Sequence, residues 1–194
     1  MRKNFIEEYF ALESLDGQTS VEKEITFYLR LNDFSELVKA DRFERQEQWE
    51  FKLFTSFEAK QPAAAYRVRK TESEGISVYS QAIKVKRDDG ARDENEIEIS
   101  AQLFDLVAST AERGMTKKRY FFNIPNTSLV WEMDVYEIEP GRYANWVRLE
   151  LENPPARVPD FPIRYEEVIA GDSNDPEDKA LIKELYEKIF VTKK

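Results

Sequence analysis

Arg67-Val68-Arg69, Lys84-Val85-Lys86 and Arg92-Asp93-Glu94-Asn95-Glu96-Ile97-Glu98, three runs between Tyr66 and Ser100, decide how this chain folds. In a β-strand successive side chains point to opposite faces. Each run therefore sets like charges side by side on one face, while Val68, Ile83, Val85, Ile97 and Ile99 turn to the other. Neighbouring like charges repel unless opposite charge sits among them. A polyanion accompanied by metal cations would satisfy the basic and the acidic runs together. Glu74-Gly75 signals a turn before a strand over Ile76–Arg87, and Asp88-Asp89-Gly90 a tight turn after it. The expected hairpin brings Lys84 and Lys86 close to Glu94, Glu96 and Glu98.

The same grammar extends in both directions. Residues 1–19 read as a leader packed on the domain. From Val21 to Leu31 the alternation is strict, with Glu22, Glu24, Thr26, Tyr28 and Arg30 on one face and Val21, Ile25, Phe27, Leu29 and Leu31 on the other. A short helix follows Asp33, the charged cluster Glu44–Glu50 reads as a solvated helix face, and Trp49–Phe57 as a strand. Ser100 caps a helix over Ala101–Arg113, with Leu103, Phe104, Val107 and Ala111 as its buried stripe and Gly114 closing it. Strands follow at Lys117–Phe122, Val130–Tyr136 and Trp146–Glu152. Trp131, Met133, Trp146, Phe121, Phe122, Tyr28 and Tyr136 are expected in packed positions. Residues 153–174 are loop-like, and Asp175-Pro176 opens a last helix running to about Ile189, with Leu181, Leu185 and Ile189 in line.

Composition narrows the chemistry. The 194 residues fit one domain, large enough for a sizeable core. With a formal net charge of −9 there is no basic excess for general nucleic-acid binding. There are no cysteines and no histidines. That excludes thiol chemistry, histidine-assisted nucleophiles and histidine or cysteine metal sites. What remains is Asp, Glu, Lys, Arg and Tyr, and carboxylate oxygens suit hard cations such as Mg²⁺ or Mn²⁺. No apolar run reaches transmembrane length and the charged start is no secretion signal. The expectation is a cytoplasmic protein without membrane contact, a monomer or a homodimer.

A single carboxylate pair at i, i+2 is an ordinary solvated strand face. Here acidic pairs (Glu22/Glu24, Glu132/Asp134, Glu150/Glu152, with the Glu94 run) recur among basic ones (Arg67/Arg69, Lys84/Lys86, Lys117/Arg119). Antiparallel sheets can curl and close around a lumen lined by alternate residues. The expected fold is thus α+β, mainly β: a closed antiparallel barrel of eight strands over residues 20–172, its outer face covered by three helices. A plain β-sandwich with polar outer faces is the alternative.

The order of these runs resembles the CYTH domain, the triphosphate tunnel metalloenzymes, which include class IV adenylyl cyclases and thiamine, inorganic and RNA triphosphatases. The resemblance spans residues 20–172: Glu22-x-Glu24, Arg67-x-Arg69, Lys84-x-Lys86, Arg92-x-Glu94-x-Glu96, Lys117-x-Arg119, Asp134, Glu150-x-Glu152 and the late segment Glu167–Asp172. It implies that Glu22, Glu24, Glu150 and Glu152, joined by Asp134, hold Mg²⁺ or Mn²⁺. It implies that Arg67, Arg69, Lys84 and Arg119 grip a triphosphate, helped by Lys86 and Lys117, while Glu94 and Glu96 order the basic groups. Glu22, Glu24, Lys84 and Glu150 would carry catalysis, the favoured reaction being hydrolysis of the terminal phosphoanhydride of a small triphosphate. Cyclisation of a nucleoside triphosphate and catalytically idle binding are the alternatives. Two departures stand out: the family's opening motif is Glu-x-Glu-x-Lys, whereas the third position here is Thr26, and Ile169-Ala170 lacks the threonine usual in the late loop.

Overall fold

The computed structural model describes residues 18–53, 64–86, 92–111 and 113–192; at several strand ends, Glu22, Lys86 and Arg92 among them, it describes the backbone alone. The expected leader lies outside these residues up to position 17, as do the Asp88-Asp89-Gly90 turn and positions 54–57 of the expected second strand. The alternating runs fold as β1 (Gln18–Glu22), β2 (Glu24–Arg30), β3 (Arg42–Leu53), β4 (Ala64–Ser73), β5 (Ile76–Lys86), β6 (Arg92–Glu98), β7 (Arg113–Asn123), β8 (Val130–Glu139), β9 (Arg142–Tyr143), β10 (Trp146–Glu152), β11 (Glu167–Ala170) and β12 (Val191–Thr192). All join one antiparallel sheet in the order β1-β6-β5-β4-β3-β7-β8-β10-β2-β11, with β12 on β7 and β9 on β8.

The sheet bends back on itself in the chain but not in its hydrogen bonds. β1 runs into β2 across Lys23 alone. Collinear strands separated by one residue cannot pair with each other, since a hairpin needs at least a two-residue loop. β1 therefore docks on β6 and β2 on β10, while β11 takes the other edge of β2, from Glu167 opposite Arg30 to Ala170 opposite Phe27. The expected closed eight-stranded barrel is corrected accordingly: among the described residues the ladder is open at this seam, and it holds more strands than eight.

The apolar face of most strands points outward and is covered from outside, although Phe43 on the outward face of β3 stays exposed. Leu29, Met133, Trp131, Leu149 and Leu151 are fully buried under Phe34 and Leu37 on one side and Phe161 and Ile163 on the other. Each such side chain contributes about 1.5–3 kcal/mol. The 3-10 turn Ser35–Lys39 supplies Leu37. Helix α1 (Ala101–Thr110), whose Ser100 hydroxyl accepts from Leu103 N, seats Phe104 and Ala108 on Val68 of β4. It is shorter than expected: Ala111 leaves it in an extended conformation and Leu103 faces solvent. Gly114 does not close the helix but lies within β7, where a Cβ would come within 2.4 Å of the Trp49 ring.

Two further expectations are corrected. The cluster Glu44–Glu50 is no helix face but the middle of β3, and Glu167–Ala170 is a strand. Helix α2 (Pro176–Ile189), capped by Asp175 with proline in its first turn, is not simply an outer cover. Its buried side, Leu185 and Ile189 rather than Leu181, packs with Tyr28, Met115 and Tyr136 across one end of the curled sheet. Among the described residues no helix is long and apolar enough to cross a membrane, which leaves strands unaddressed.

Candidate functional site

The inward face of the curled sheet encloses a cavity of about 580 Å³, within the size range of small-molecule sites. Glu24, Arg67, Arg69, Lys84, Lys117, Arg119, Glu150 and Glu152 all line it, as do Glu94 and Glu96. Glu22 and Lys86 are placed by backbone register only, each opposite Arg92 of β6.

On the β4–β6 side the register explains the ion pairs. Ala82 of β5 stands between Arg67 and Glu96, and its small side chain lets the two reach across it. Arg67 Nη2 donates to Glu94 Oε1 at 2.7 Å and to Glu96 Oε2 at 3.3 Å, Arg69 pairs with the other Glu96 oxygen, and Lys84 Nζ lies 2.5 Å from Glu94 Oε2. Burial raises the Glu96 carboxyl, but Arg69, the Ser80 hydroxyl and Arg67 outweigh it and lower it to about 2. Burial and the neighbouring Arg69 press the other way on Arg67 and lower its pKa. Among the described residues the Nε–H groups of Arg67 and Arg69 are buried and donate to nothing.

On the facing side Asp134 is fully buried. Its carboxylate accepts from Lys117 Nζ at 2.5 Å and from Arg119 Nε and Nη2 at 2.7 and 2.8 Å. Burial would raise its pKa, yet the two cations hold it far below the carboxylate range. Arg119 also pairs with Glu132 and reaches Glu150 Oε2 at 3.3 Å. Burial and Arg119 lower the Lys117 ammonium to about 7, against the pull of Asp134. Arg148 pairs with Glu150 Oε1 and lies 3.6 Å from Glu24 Oε1.

The acidic wall follows from the ladder. Glu152 of β10 stands opposite Glu24 of β2, and Glu150 opposite Glu132 of β8. Facing like charges cost energy. Burial, Glu132 and Glu94 raise the Glu152 carboxyl pKa against Lys84 and Arg119. An all-oxygen donor set with one such uncompensated acid fits a hard divalent cation. Among the described residues no three carboxylates stand ready as a metal-binding group, and Glu150 is ion-paired with Arg119 and Arg148.

Sequence reasoning missed a third wall. Glu44, Gln46, Gln48 and Glu50 of β3 line the cavity, Gln46 Nε2 donating to Glu44 Oε1 at 2.5 Å and Gln48 Nε2 to Glu50 Oε1 at 2.6 Å. The signal was present as period-2 polarity, but the outward positions Arg45 and Glu47 are charged too, which hides the alternation. Arg113 pairs with Glu50 at 2.9 Å and stacks 4.0 Å from the Phe190 ring. Tyr186 of α2 closes this end, its hydroxyl 2.8 Å from that of Tyr28. Of the residues expected in packed positions, Trp131, Met133, Tyr28, Tyr136, Phe121 and Phe122 are buried and Trp146 partly so; Phe121 faces the cavity, with the Arg42 guanidinium 3.4 Å over its ring. Thr26 lines an adjoining cavity of about 460 Å³ that shares Glu24, Arg148 and Tyr186 with the first. Gly171 covers it, donating its N–H to Thr26 O at 2.7 Å.

No family model and no curated protein matches the chain. Among solved structures it is similar to the PH1819 protein of Pyrococcus horikoshii OT3, at 18% identity and a TM-score of 0.47 over 89% of this chain and 95% of that one. It is similar to the hypothetical protein NE1496, at 19% identity and 0.46 over 82% and 96%. It is also similar to a candidate adenylate cyclase from Bacillus halodurans, at 14% identity and 0.46 over 87% and 89%. At such scores these likenesses carry no inference about activity.

Proposed function

We propose that the cavity binds a small triphosphate together with Mg²⁺ or Mn²⁺ and hydrolyses its terminal phosphoanhydride, with the strands around it acting as a tunnel. The observation that carries this reading is the pair of unbalanced charges on facing walls. Burial, with a neighbouring arginine beside each, lowers the pKa of the Arg67 and Lys117 cations, and among the described residues Arg67 and Arg69 keep unused Nε–H donors. Burial, then the neighbouring acids Glu132 and Glu94, raise the Glu152 carboxyl pKa. A polyanion relieves the first group and a cation the second.

In this reading Arg67, Arg69, Lys84 and Arg119, with Lys86 and Lys117, clamp phosphate oxygens through charge-assisted hydrogen bonds. Glu94 and Glu96 hold Arg67, Arg69 and Lys84 in place from behind, as Asp134 does for Lys117 and Arg119. Glu24, Glu150 and Glu152, with Glu22, hold the cation. When bound, it offsets phosphate charge and lowers the pKa of water. Fixed cations around the transferring group would stabilise the charge that develops in the transition state. The organic part of the substrate would lie toward Tyr186 and Phe190.

The test is a ³¹P NMR time course with Mg²⁺ or Mn²⁺ and, in turn, ATP, thiamine triphosphate and tripolyphosphate, with Glu150→Ala as control. Orthophosphate that depends on Glu150 supports the hydrolase. Pyrophosphate with a cyclic nucleotide makes the protein a cyclase instead. No turnover of any substrate removes both enzyme readings and leaves a binder.

A further inference from the structure

Glu150 sits in the middle of the acidic wall with a guanidinium beside each carboxylate oxygen: Arg119 Nη2 donates to Oε2 at 3.3 Å, while Arg148 is ion-paired with Oε1, which accepts no hydrogen bond among the described residues. The two arginines are not equivalent. Arg119 is anchored elsewhere: Asp134 takes its Nε and Nη2 at 2.7 and 2.8 Å, and Glu132 takes Nη1. It would keep its place without Glu150. Arg148 has no such anchor. Among the described residues its ion pairs are to Glu150 and to Glu24, and its Nε is buried without a partner. Its two cross-strand neighbours offer nothing else: Tyr28 is a buried phenol, and Asp134 is already held by Lys117 and Arg119. The sequence builds this directly, since Arg148, Glu150 and Glu152 follow at i, i+2, i+4 on one face of β10.

We propose that Arg148 is a built-in counter-ion: it bridges Glu24 and Glu150 when no metal is bound, and a divalent cation must displace it to reach them. This rests on the reading of Glu24 and Glu150 as cation ligands. Taking the guanidinium from between two neighbouring carboxylates increases their mutual repulsion, so the arginine steadies the metal-free site at the expense of metal affinity. Once displaced, its guanidinium is free for phosphate oxygens, which couples metal entry to triphosphate entry. Such coupling is reciprocal.

The experiment is calorimetric titration of Mn²⁺, without substrate, into the wild type and into Arg148→Gln, Arg148→Lys and Glu150→Gln. Arg148→Gln should bind Mn²⁺ about tenfold more tightly than the wild type, the worth of one charge-assisted hydrogen bond. Arg148→Lys should stay near the wild type and Glu150→Gln should bind more weakly. If Glu150→Gln weakens binding but Arg148→Gln does not tighten it, the counter-ion role is overturned while the metal reading stands. If neither wild type nor Arg148→Gln binds Mn²⁺, both fall. Should Arg148→Gln not fold, the wild type itself decides. The arginine Nε–H resonance assigned by its loss in Arg148→Lys should shift on saturation with Mg²⁺; an unmoved signal overturns the proposal.

Discussion

Replacing Asp134 by Asn should cost this protein a large part of its stability while changing its shape hardly at all. Asp134 is fully buried, and two buried cations, Lys117 and Arg119, depend on it through contacts of 2.5, 2.7 and 2.8 Å. Removing one charge from a buried network leaves the others uncompensated, a loss of about 3–5 kcal/mol. For a chain of this length each kcal/mol shifts Tm by roughly 2–4 °C, so a drop on the order of 10 °C is expected in thermal unfolding followed by circular dichroism at neutral pH. The sign with pH follows from linkage. The folded-state pKa of Asp134 is depressed by its two cations, so its stabilisation is in place above the unfolded carboxylate value of ~3.9 and is lost as pH falls below it. The gap between wild type and variant should therefore narrow on going from pH 5 to pH 2. Glu139→Gln, at an exposed pair with Arg142, serves as control and should change stability by less than about 1 kcal/mol. If Asp134→Asn behaves like Glu139→Gln, or if the gap stays constant down to pH 2, the account of this network is wrong.

Two other expectations are more local. Glu96, held at about 2 by Arg69, Ser80 and Arg67 against burial, contributes stability that is present above the unfolded glutamate value of ~4.3 and lost below it. Glu96→Gln should flatten the urea-midpoint curve between about pH 4.3 and pH 2, and an unchanged slope would remove that role. Gly171→Ala would place a Cβ 2.8 Å from Thr26 Cβ and 3.0 Å from Thr26 O, contacts that backbone must yield to. Overpacking of this kind costs about 1–3 kcal/mol, readable as a lower urea midpoint at constant m; no change would mean that the Gly171 segment adjusts freely.

The inward charges were legible because their period is local. Arg67/Arg69, Lys84, Glu94/Glu96, Lys117/Arg119 and Glu150/Glu152 each announce a face within one strand, and those faces meet in one cavity. Three things were not legible. β3 has charge on both faces, so Glu44, Gln46, Gln48 and Glu50 read as a helix surface rather than a wall. The entry of α2 into one end depends on the Tyr28–Tyr186 contact across 158 residues, which no local pattern encodes. Which cation faces which anion is set by register, as with Ala82 between Arg67 and Glu96 or Arg148 beside Glu24. Alternation placed Arg148 on the right face but could not say whether it greets a substrate or its own neighbours.

The break at Lys23 also matters in polymer terms. β1 and β2 are bonded to each other through one residue, so at that point they cannot separate by more than about 7 Å, two extended residue lengths, whatever happens to the hydrogen bonds. The Lys23 carbonyl is held in addition by Asn153 N at 2.7 Å, at the end of β10. β1 is thus tied at its C-terminal end to β2 and β10 and paired along its length with β6. Because β1 is an edge strand, unpairing it from β6 leaves the rest of the ladder, from β6 round to β11, with every other strand pair intact.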